Sequence, residues 1–277
     1  MAGRSRRTGR FLLAFLAALL FLLPLYWVLV ASLKQPGLPP SNRLEWWPAA
    51  AHWENYRTVF TLVPMGRYIG NSLLVVAAAI PITLVTASWA GLALAQLGGQ
   101  ARRRYLTLTV GLLIIPAASV WLFRFQILRW LGLLSSLWAL IAPAFAASNP
   151  LFVLLYFWSF RRIPGELFEA ARLDGASVWQ TWWRLALPLT RPTTVAVTVL
   201  TFMMYWGDFI SPVLYLYDPG SYTAPVGLQL INQLDATNWP LLMAGAVVMT
   251  LPAALLFLLL QRYFLGRQTL AELFGRN

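Results

Sequence analysis

The chain carries nine carboxylates, one histidine and no cysteine in 277 residues, so few side chains are equipped to make or break bonds. Three of the acids, Glu166, Glu169 and Asp174, fall in the run ELFEAARLDGASVWQTWWRLALPLT at 166–190, beside Gly175, Arg172 and Arg184. A charged, amphipathic, glycine-broken stretch between two apolar segments suits contact with another protein better than it suits catalysis. The remaining chemistries fail on residue type. Without cysteine there is no disulfide scaffold, thiolate nucleophile or thiol-ligated metal, and a lone His52 argues against a metalloenzyme. The phosphate-cradling pattern G-x-x-x-x-G-K-[ST] does not occur, so the chain does not bind ATP in the P-loop manner. G-x-S-x-G, H-E-x-x-H and paired carboxylates at a membrane edge are missing too. The sequence reads as a non-enzyme.

The elements that position these residues follow from composition. With 59% hydrophobic and 11% charged residues, most of the chain cannot face water. A spanning helix needs about 20 apolar residues, and six stretches are expected to supply one: 11–33, 72–97, 105–123, 137–160, 193–217 and 239–265. Pro143, Ser148, Asn149 and Pro150 interrupt the fourth and are expected to split it into two shorter helices, which leaves a five-span topology open. The first span follows Arg4, Arg6, Arg7 and Arg10. Its apolar run is too long for a signal peptide and lacks a small-x-small exit, so it reads as an anchor. The expected organisation is a basic cytoplasmic terminus at 1–10, one transmembrane domain over 11–265 and a cytoplasmic tail at 266–277.

The net charge of +12 would suggest nucleic acid in a soluble protein. Here the cations flank apolar spans, so the expected surroundings are a lipid bilayer and no nucleic acid. Arg102, Arg103 and Arg104, then Arg161, Arg162, Arg172, Arg184 and Arg191, then Arg262, Arg267 and Arg276 fall on the same side as the N-terminal arginines. Lys34, Arg43, Arg57, Arg67, Arg124 and Arg129 fall opposite, with Asp208, Asp218 and Asp235. The positive-inside rule then puts both termini in the cytoplasm. The outer segments 35–71 and 218–238 read as ordered turns near the interface, where Trp46, Trp47 and Trp53 suit the headgroup region. Each span carries a proline, Pro24, Pro81, Pro116, Pro143, Pro212 or Pro252. Kinked helices lining a path explain this, and so does the general frequency of proline in membrane helices. No Lys, Glu or His lies deep in a predicted span, which weakens a proton- or sodium-coupled carrier.

Within 164–190, Pro164 suits the first position of a helix, and Glu166 and Glu169 stand in its early turns against the positive helix end. Leu167, Ala170, Ala171 and Leu173 share a face whose small centre admits another surface. Asp174, Gly175, Ala176 and Ser177 break this helix, through the positive φ open to glycine and the capping oxygens of Asp and Ser. A second helix is expected from Val178 until Pro188, with Trp179, Trp182, Trp183 and Ala186 on its apolar side and Arg184 polar. An amphipathic hairpin lying in the headgroups, anchored by three tryptophans, fits the same pattern.

The run EAARLDGASVWQTWWRLALPL resembles the EAA loop of bacterial ABC import permeases. It places Glu169, Ala170, Ala171, Asp174, Gly175, Ala176, Trp182, Leu187 and Pro188 on that pattern, with Trp182 where phenylalanine is more usual. Asn71-Ser72-Leu73-Leu74, Arg161-Arg162-Ile163-Pro164 and Tyr205-Trp206-Gly207-Asp208-Phe209, with Pro212 and Leu214, are similar to the shorter permease of maltose-type carbohydrate importers. The tail at 267–277 lacks the glycine-rich ending often seen there. The resemblance implies an all-α membrane protein of the type I importer class, with six transmembrane helices and a cytoplasmic helix-turn-helix coupling loop between spans four and five. It implies a heterodimer with a second permease, two copies of an ABC ATPase that hold the ATP and Mg, and an extracytoplasmic solute-binding protein. No cofactor is expected in this chain, and the location implied is the bacterial cytoplasmic (inner) membrane. Glu166, Glu169, Ala170, Ala171, Asp174, Gly175, Ala176, Trp182 and Pro188 would serve ATPase coupling. Tyr205, Trp206 and Asp208 would line a sugar path, or anchor the interface. Gln229, Asn232, Gln233 and Asp235 would face the binding protein, or form a solvated loop. An amino-acid, peptide or polyamine importer, and a self-contained carrier or channel, are the rival functions.

Overall fold

Backbone amides and carbonyls inside a bilayer must be paired within the protein, and a helix pairs them within its own segment. The computed structural model describes residues 2–40, 45–146 and 149–264, and among these every regular element is helical. In chain order they are α1 (Ala2–Ser32), α2 (Glu54–Leu62), α3 (Met65–Gln96), α4 (Gly99–Leu112), α5 (Ala117–Trp130) and α6 (Trp138–Ile141). There follow α7 (Pro150–Phe160), α8 (Gly165–Leu173), α9 (Val178–Gln180), α10 (Leu187–Leu189), α11 (Arg191–Trp206), α12 (Ile210–Tyr215), α13 (Ala224–Leu234) and α14 (Trp239–Phe264). A π turn, Thr181–Ala186, joins α9 to α10, and 3₁₀ turns occupy Ala142–Ala146 and Pro219–Ser221.

Among the described residues four segments are long and apolar enough to cross a membrane: Leu12–Ser32, Met65–Gln96, Trp138–Phe160 and Trp239–Gln261. Two bent pairs raise the number to six if each is one span: α4 with α5, bent by 96°, and Val178–Leu189 with α11, bent by 86°. The expected third span, with Pro116 inside it, is two helices meeting at a sharp bend. Pro116 supplies no amide to continue α4 and stands as the N-cap of α5 in an extended conformation. The fourth stretch divides as its prolines require, with Asn149 accepting from the Leu151 amide at 3.1 Å to start α7 and Pro150 in its first turn. The expected fifth span is shorter than 193–217, because α11 stops at Trp206 and Pro212 belongs to α12. Only Pro24, Pro81 and Pro252 lie inside long helices. Ser148, Arg43, the side chains of Arg4, Arg6, Arg7, Arg10 and Arg262, and the tail at 266–277 lie outside the described residues.

The chain divides into two compact units, 1–69 with 224–277, and 70–223. In the first, α14 packs along α1, α2 and α13. The last carbonyls of α1 lack helical partners, and the buried Asn55 of α2 supplies them, its Nδ2 donating to the Ser32 and Lys34 carbonyls at 2.8 and 2.9 Å. The segments 35–71 and 218–238 are thus more than turns. α2 closes the end of α1, and 218–238 contains the 11-residue α13, where Ala224, Pro225, Val226, Gly227 and Ile231 are buried. Pro225 stands in the first turn of that helix, where its missing amide leaves no bond unmade.

In the second unit one core cluster gathers Phe152, Val153, Tyr156, Phe157 and Phe160 of α7 against Ala87, Leu92 and Leu94 of α3 and Val197 of α11. A second joins Val75, Leu128, Ala139, Leu140, Ile141, Tyr215 and Leu216. Asn71, singled out by the sequence, donates to the Gly220 and Tyr222 carbonyls at 3.0 and 2.9 Å and so pins the end of this unit to the base of α3. α3 and α7 approach closely at Gly91. A Cβ there would stand 2.6 Å from Tyr156 Cβ and 2.9 Å from the Phe157 amide nitrogen, so α7 would have to move. Gly91→Ala should therefore lower stability by about 1–3 kcal/mol. Gly111→Ala, where an added Cβ meets nothing within 4 Å, should be neutral or stabilise by up to about 1 kcal/mol. Thermal unfolding of the detergent-purified chain separates the two, and equal midpoints would refute the close packing.

Candidate functional site

The segment 164–190 forms the two short helices expected of it, and the structure explains each residue at the break. α8 begins at Gly165 with Pro164 as its cap, one residue later than the sequence suggested. At its other end Gly175 adopts φ +76°, a conformation that costs glycine little. The Gly175 amide donates to the Arg172 carbonyl at 3.0 Å and the Ala176 amide to the Ala171 carbonyl at 2.9 Å. This pair of bonds is a Schellman cap, and it assigns Ala171, Gly175 and Ala176 interlocking places in one turn. Ser177 then starts the next helix with a reciprocal capping box, its Oγ accepting from the Gln180 amide at 3.2 Å while the Ser177 amide donates to Gln180 Oε1 at 2.8 Å. A stop and a start therefore share four residues, which fixes the angle between the helices.

The second helix does not end at Pro188, as expected, but runs through it to Leu189. Proline lacks the amide that would bond the carbonyl four residues back, and its ring crowds that carbonyl. The π turn directly upstream shifts the pairing, so that the Leu187 amide reaches the Trp182 carbonyl instead. One consequence is the placement of Trp182. Its side chain is 2% exposed and sits in the α3–α7 core, where its Nε1 donates to Ser88 Oγ at 3.0 Å. Trp89 of α3 packs edge-on against both Trp179 and Trp182, at 5.7 Å each. On the other arm Arg172 donates to Gln96 Oε1 at 3.0 Å, and Phe168 leans on the same core. Both arms are thus tied to the last three turns of α3.

What remains outward is chemically distinct. Glu166, Glu169, Ala170, Asp174 and Gly175 are exposed, while Ala171 and Ala176 are half-buried. Leu173 and Val178, on either side of the break, are 89% and 82% exposed. A groove of about 500 Å³ runs beside α8, lined by Arg161, Arg162, Arg172, Glu169, Gln96 and Phe168 among others. It offers cations around one carboxylate, with an aromatic floor.

The other predicted residues lie elsewhere. Tyr205 is half-buried and its hydroxyl pairs with Thr83. Trp206 is buried and stacks on Phe202 at 5.6 Å, and Asp208 accepts from the Ser211 amide at 3.1 Å at the start of α12. Gln229 and Asn232 are half-buried on α13 and Gln233 is exposed there, whereas Asp235 accepts from Asn238 Nδ2 at 2.8 Å just before α14. Sequence reasoning missed Ser88, Trp89, Gly91 and Gln96. The only signal available was the cluster of small residues Ala87, Ser88, Ala90 and Gly91 on α3, the pattern of a close helix contact.

Residues 85–269 match the family described as binding-protein-dependent transport system inner membrane component. The chain is 30% identical to the sulfoquinovosyl glycerol transport system permease protein SmoH of Agrobacterium fabrum, over 98% of this chain and 95% of that protein. It is 28% identical to the trehalose/maltose transport system permease protein MalG of Thermococcus litoralis, over 95% of each. Its fold matches a chain of a bacterial ABC transporter that imports the acidic polysaccharide alginate, with a TM-score of 0.76 at 20% identity, covering 95% and 98% of the two chains.

The tie between segment and core predicts a ranking. Trp182→Ala should destabilise by about 3–5 kcal/mol. Trp182→Phe, which keeps most of the ring and loses the donor, and Ser88→Ala, which strands it, should each destabilise by about 1–2 kcal/mol. Trp183→Ala, at a 60% exposed side chain, should change little. Thermal midpoints of the four variants check this, and a Trp182→Ala no worse than Trp183→Ala would contradict it.

Proposed function

This chain belongs to the family of binding-protein-dependent transport system inner membrane components, and on that premise we propose that it is a permease subunit of an ATP-driven ABC importer for a saccharide. The observation that carries the solute class is the end-to-end similarity to permeases named for sulfoquinovosyl glycerol and for trehalose and maltose. In this reading the chain pairs with a second permease in the inner membrane, with both termini in the cytoplasm. The four long apolar segments, the bent pair of α4 with α5, and α11 make six spans. An extracytoplasmic binding protein delivers the sugar, and two ATPase copies supply the ATP and Mg²⁺ chemistry.

The segment 164–190 is the proposed coupling element. Its outward face offers what a protein cleft recognises: the exposed Leu173 and Val178 at the apex, Glu166 at the positive end of α8 with Glu169 further along it, and small residues that let backbone approach closely. Its inward face is fastened to α3 through Trp182 and Arg172. A push on such a segment is passed to the spans as rigid motion, because packed cores switch between arrangements rather than deform continuously. Tyr205 and Asp208 are proposed to line the solute path, and Gln229, Asn232, Gln233 and Asp235 to face the docked binding protein.

Gly175→Val tests the assignment. A β-branched residue resists φ +76°, so the cap and the interhelix angle should be lost. Membrane insertion and assembly with the second permease should persist while ATP-driven sugar uptake by the assembled importer falls at least tenfold. Uptake equal to wild type in a correctly inserted Gly175→Val protein would reject the coupling role.

A further inference from the structure

Midway along α5 a cation stands on the packed side of the helix. Residues 121, 124, 125 and 128 recur at the spacing of one helical face: Trp121, Arg124 and Phe125 are half-buried and Leu128 is buried. Leu122, Phe123, Gln126 and Ile127, which alternate with them, are exposed. The packed side meets α11 and α12. Phe125 and Tyr205 lean on the cluster that holds Leu128 and Tyr215, and the Tyr215 hydroxyl donates to the Trp121 carbonyl at 3.1 Å, one turn before Arg124. The Arg124 guanidinium and the Asp208 carboxylate both lie close enough to act electrostatically on the Tyr205 and Tyr215 hydroxyls. The ion pairs among the described residues are Lys34–Glu45 and His52–Glu54, so among these residues no carboxylate meets Arg124 at contact distance. Asp208 is engaged instead at the start of α12, where its Oδ1 accepts from the Ser211 amide.

An ionisable side chain within a span is costly, and such residues mark ion or substrate routes. A long cation near a helix end escapes the cost by reaching the headgroups. The exposed Arg129, in the last turn of α5, suits that role, whereas Arg124 stands mid-helix beside Tyr205. We propose that Arg124 is a specificity-determining residue of the solute path and that the saccharide imported is acidic. Its anionic group receives the guanidinium fork, which matches a carboxylate in bidentate fashion. Asp208 accepts from ring hydroxyls, and the Tyr205 ring offers a face to sugar C–H groups. A neutral sugar leaves the Arg124 charge unmatched in the path, so the residue that favours an acid also disfavours its neutral counterpart. The proposal rests on the saccharide-importer reading above and on the Tyr205–Asp208 path within it.

The test is ATP-driven uptake by the assembled importer in proteoliposomes, with its binding protein present. The probes are paired: D-glucuronate with D-glucose, D-galacturonate with D-galactose, and digalacturonate with galactobiose. In the wild type the acidic member of at least one pair should be taken up faster than its neutral partner. Arg124→Gln should lower that acidic-to-neutral ratio about tenfold, Arg124→Lys should retain much of it, and Arg129→Gln should leave it as in the wild type. Neutral preference in the wild type overturns the proposal without need of any variant, and leaves the saccharide function standing. An Arg124→Gln protein that inserts normally and loses acidic and neutral uptake in equal proportion also overturns it, because Arg124 is then structural. A ratio lowered as far by Arg129→Gln overturns it as well, since surface charge alone then accounts for the preference. Absence of uptake for every probe sinks the saccharide function on which the proposal rests.

Discussion

The burial of Trp182 is the contact on which the arrangement of 164–190 depends. An indole removes on the order of 200 Å² from solvent, worth roughly 5 kcal/mol at 25 cal/mol/Å², whereas its bond to Ser88 contributes about 1 kcal/mol. Packing therefore supplies the strength and the hydrogen bond supplies the register. Both rely on the π turn Thr181–Ala186, which places that side chain in the core while letting the helix continue past Pro188. Gly91 completes the constraint from the other side: because it has no side chain, α7 comes close enough to α3 to form the core that Trp182 enters.

A segment held in this way has two faces with different duties. The inner face belongs to the same core as α3, α7 and α11, while the outer face presents Leu173 and Val178 with almost no cover. In the proposed importer these faces belong to one mechanical part: the ATPase grips the outside, and the spans follow because the inside cannot slip. The Schellman cap at Gly175 and the capping box at Ser177 keep the part stiff where it would otherwise hinge.

Local signals in the sequence were legible where local chemistry decides the outcome. Gly175 and Ser177 announced a break, Asn149 and Pro150 a new helix, and the arginine-flanked apolar runs a membrane protein. The rest was hidden because tertiary contacts decide it. Pro188 reads as a helix end until a π turn rescues it, and Pro225 and Gly227 read as turn residues although burial of α13 makes them helical. The third stretch reads as one span kinked at Pro116, and hydropathy carries no information about how large the bend is, which is 96°. Ser88 and Gln96, which hold the segment from α3, gain their meaning only from Trp182 and Arg172, residues distant in sequence. Of the candidate site, the outward residues were readable as a motif, and the anchoring residues were not.

The central claim is that transport by this chain is driven through 164–190 by a separate ATPase. Its most direct measurement is saccharide uptake into proteoliposomes holding this chain and its second permease, with binding protein and ATP present, and with the ATPase either included or left out. The account predicts accumulation only with the ATPase. Equal, concentrative uptake without it would contradict the account and make the chain a self-contained carrier.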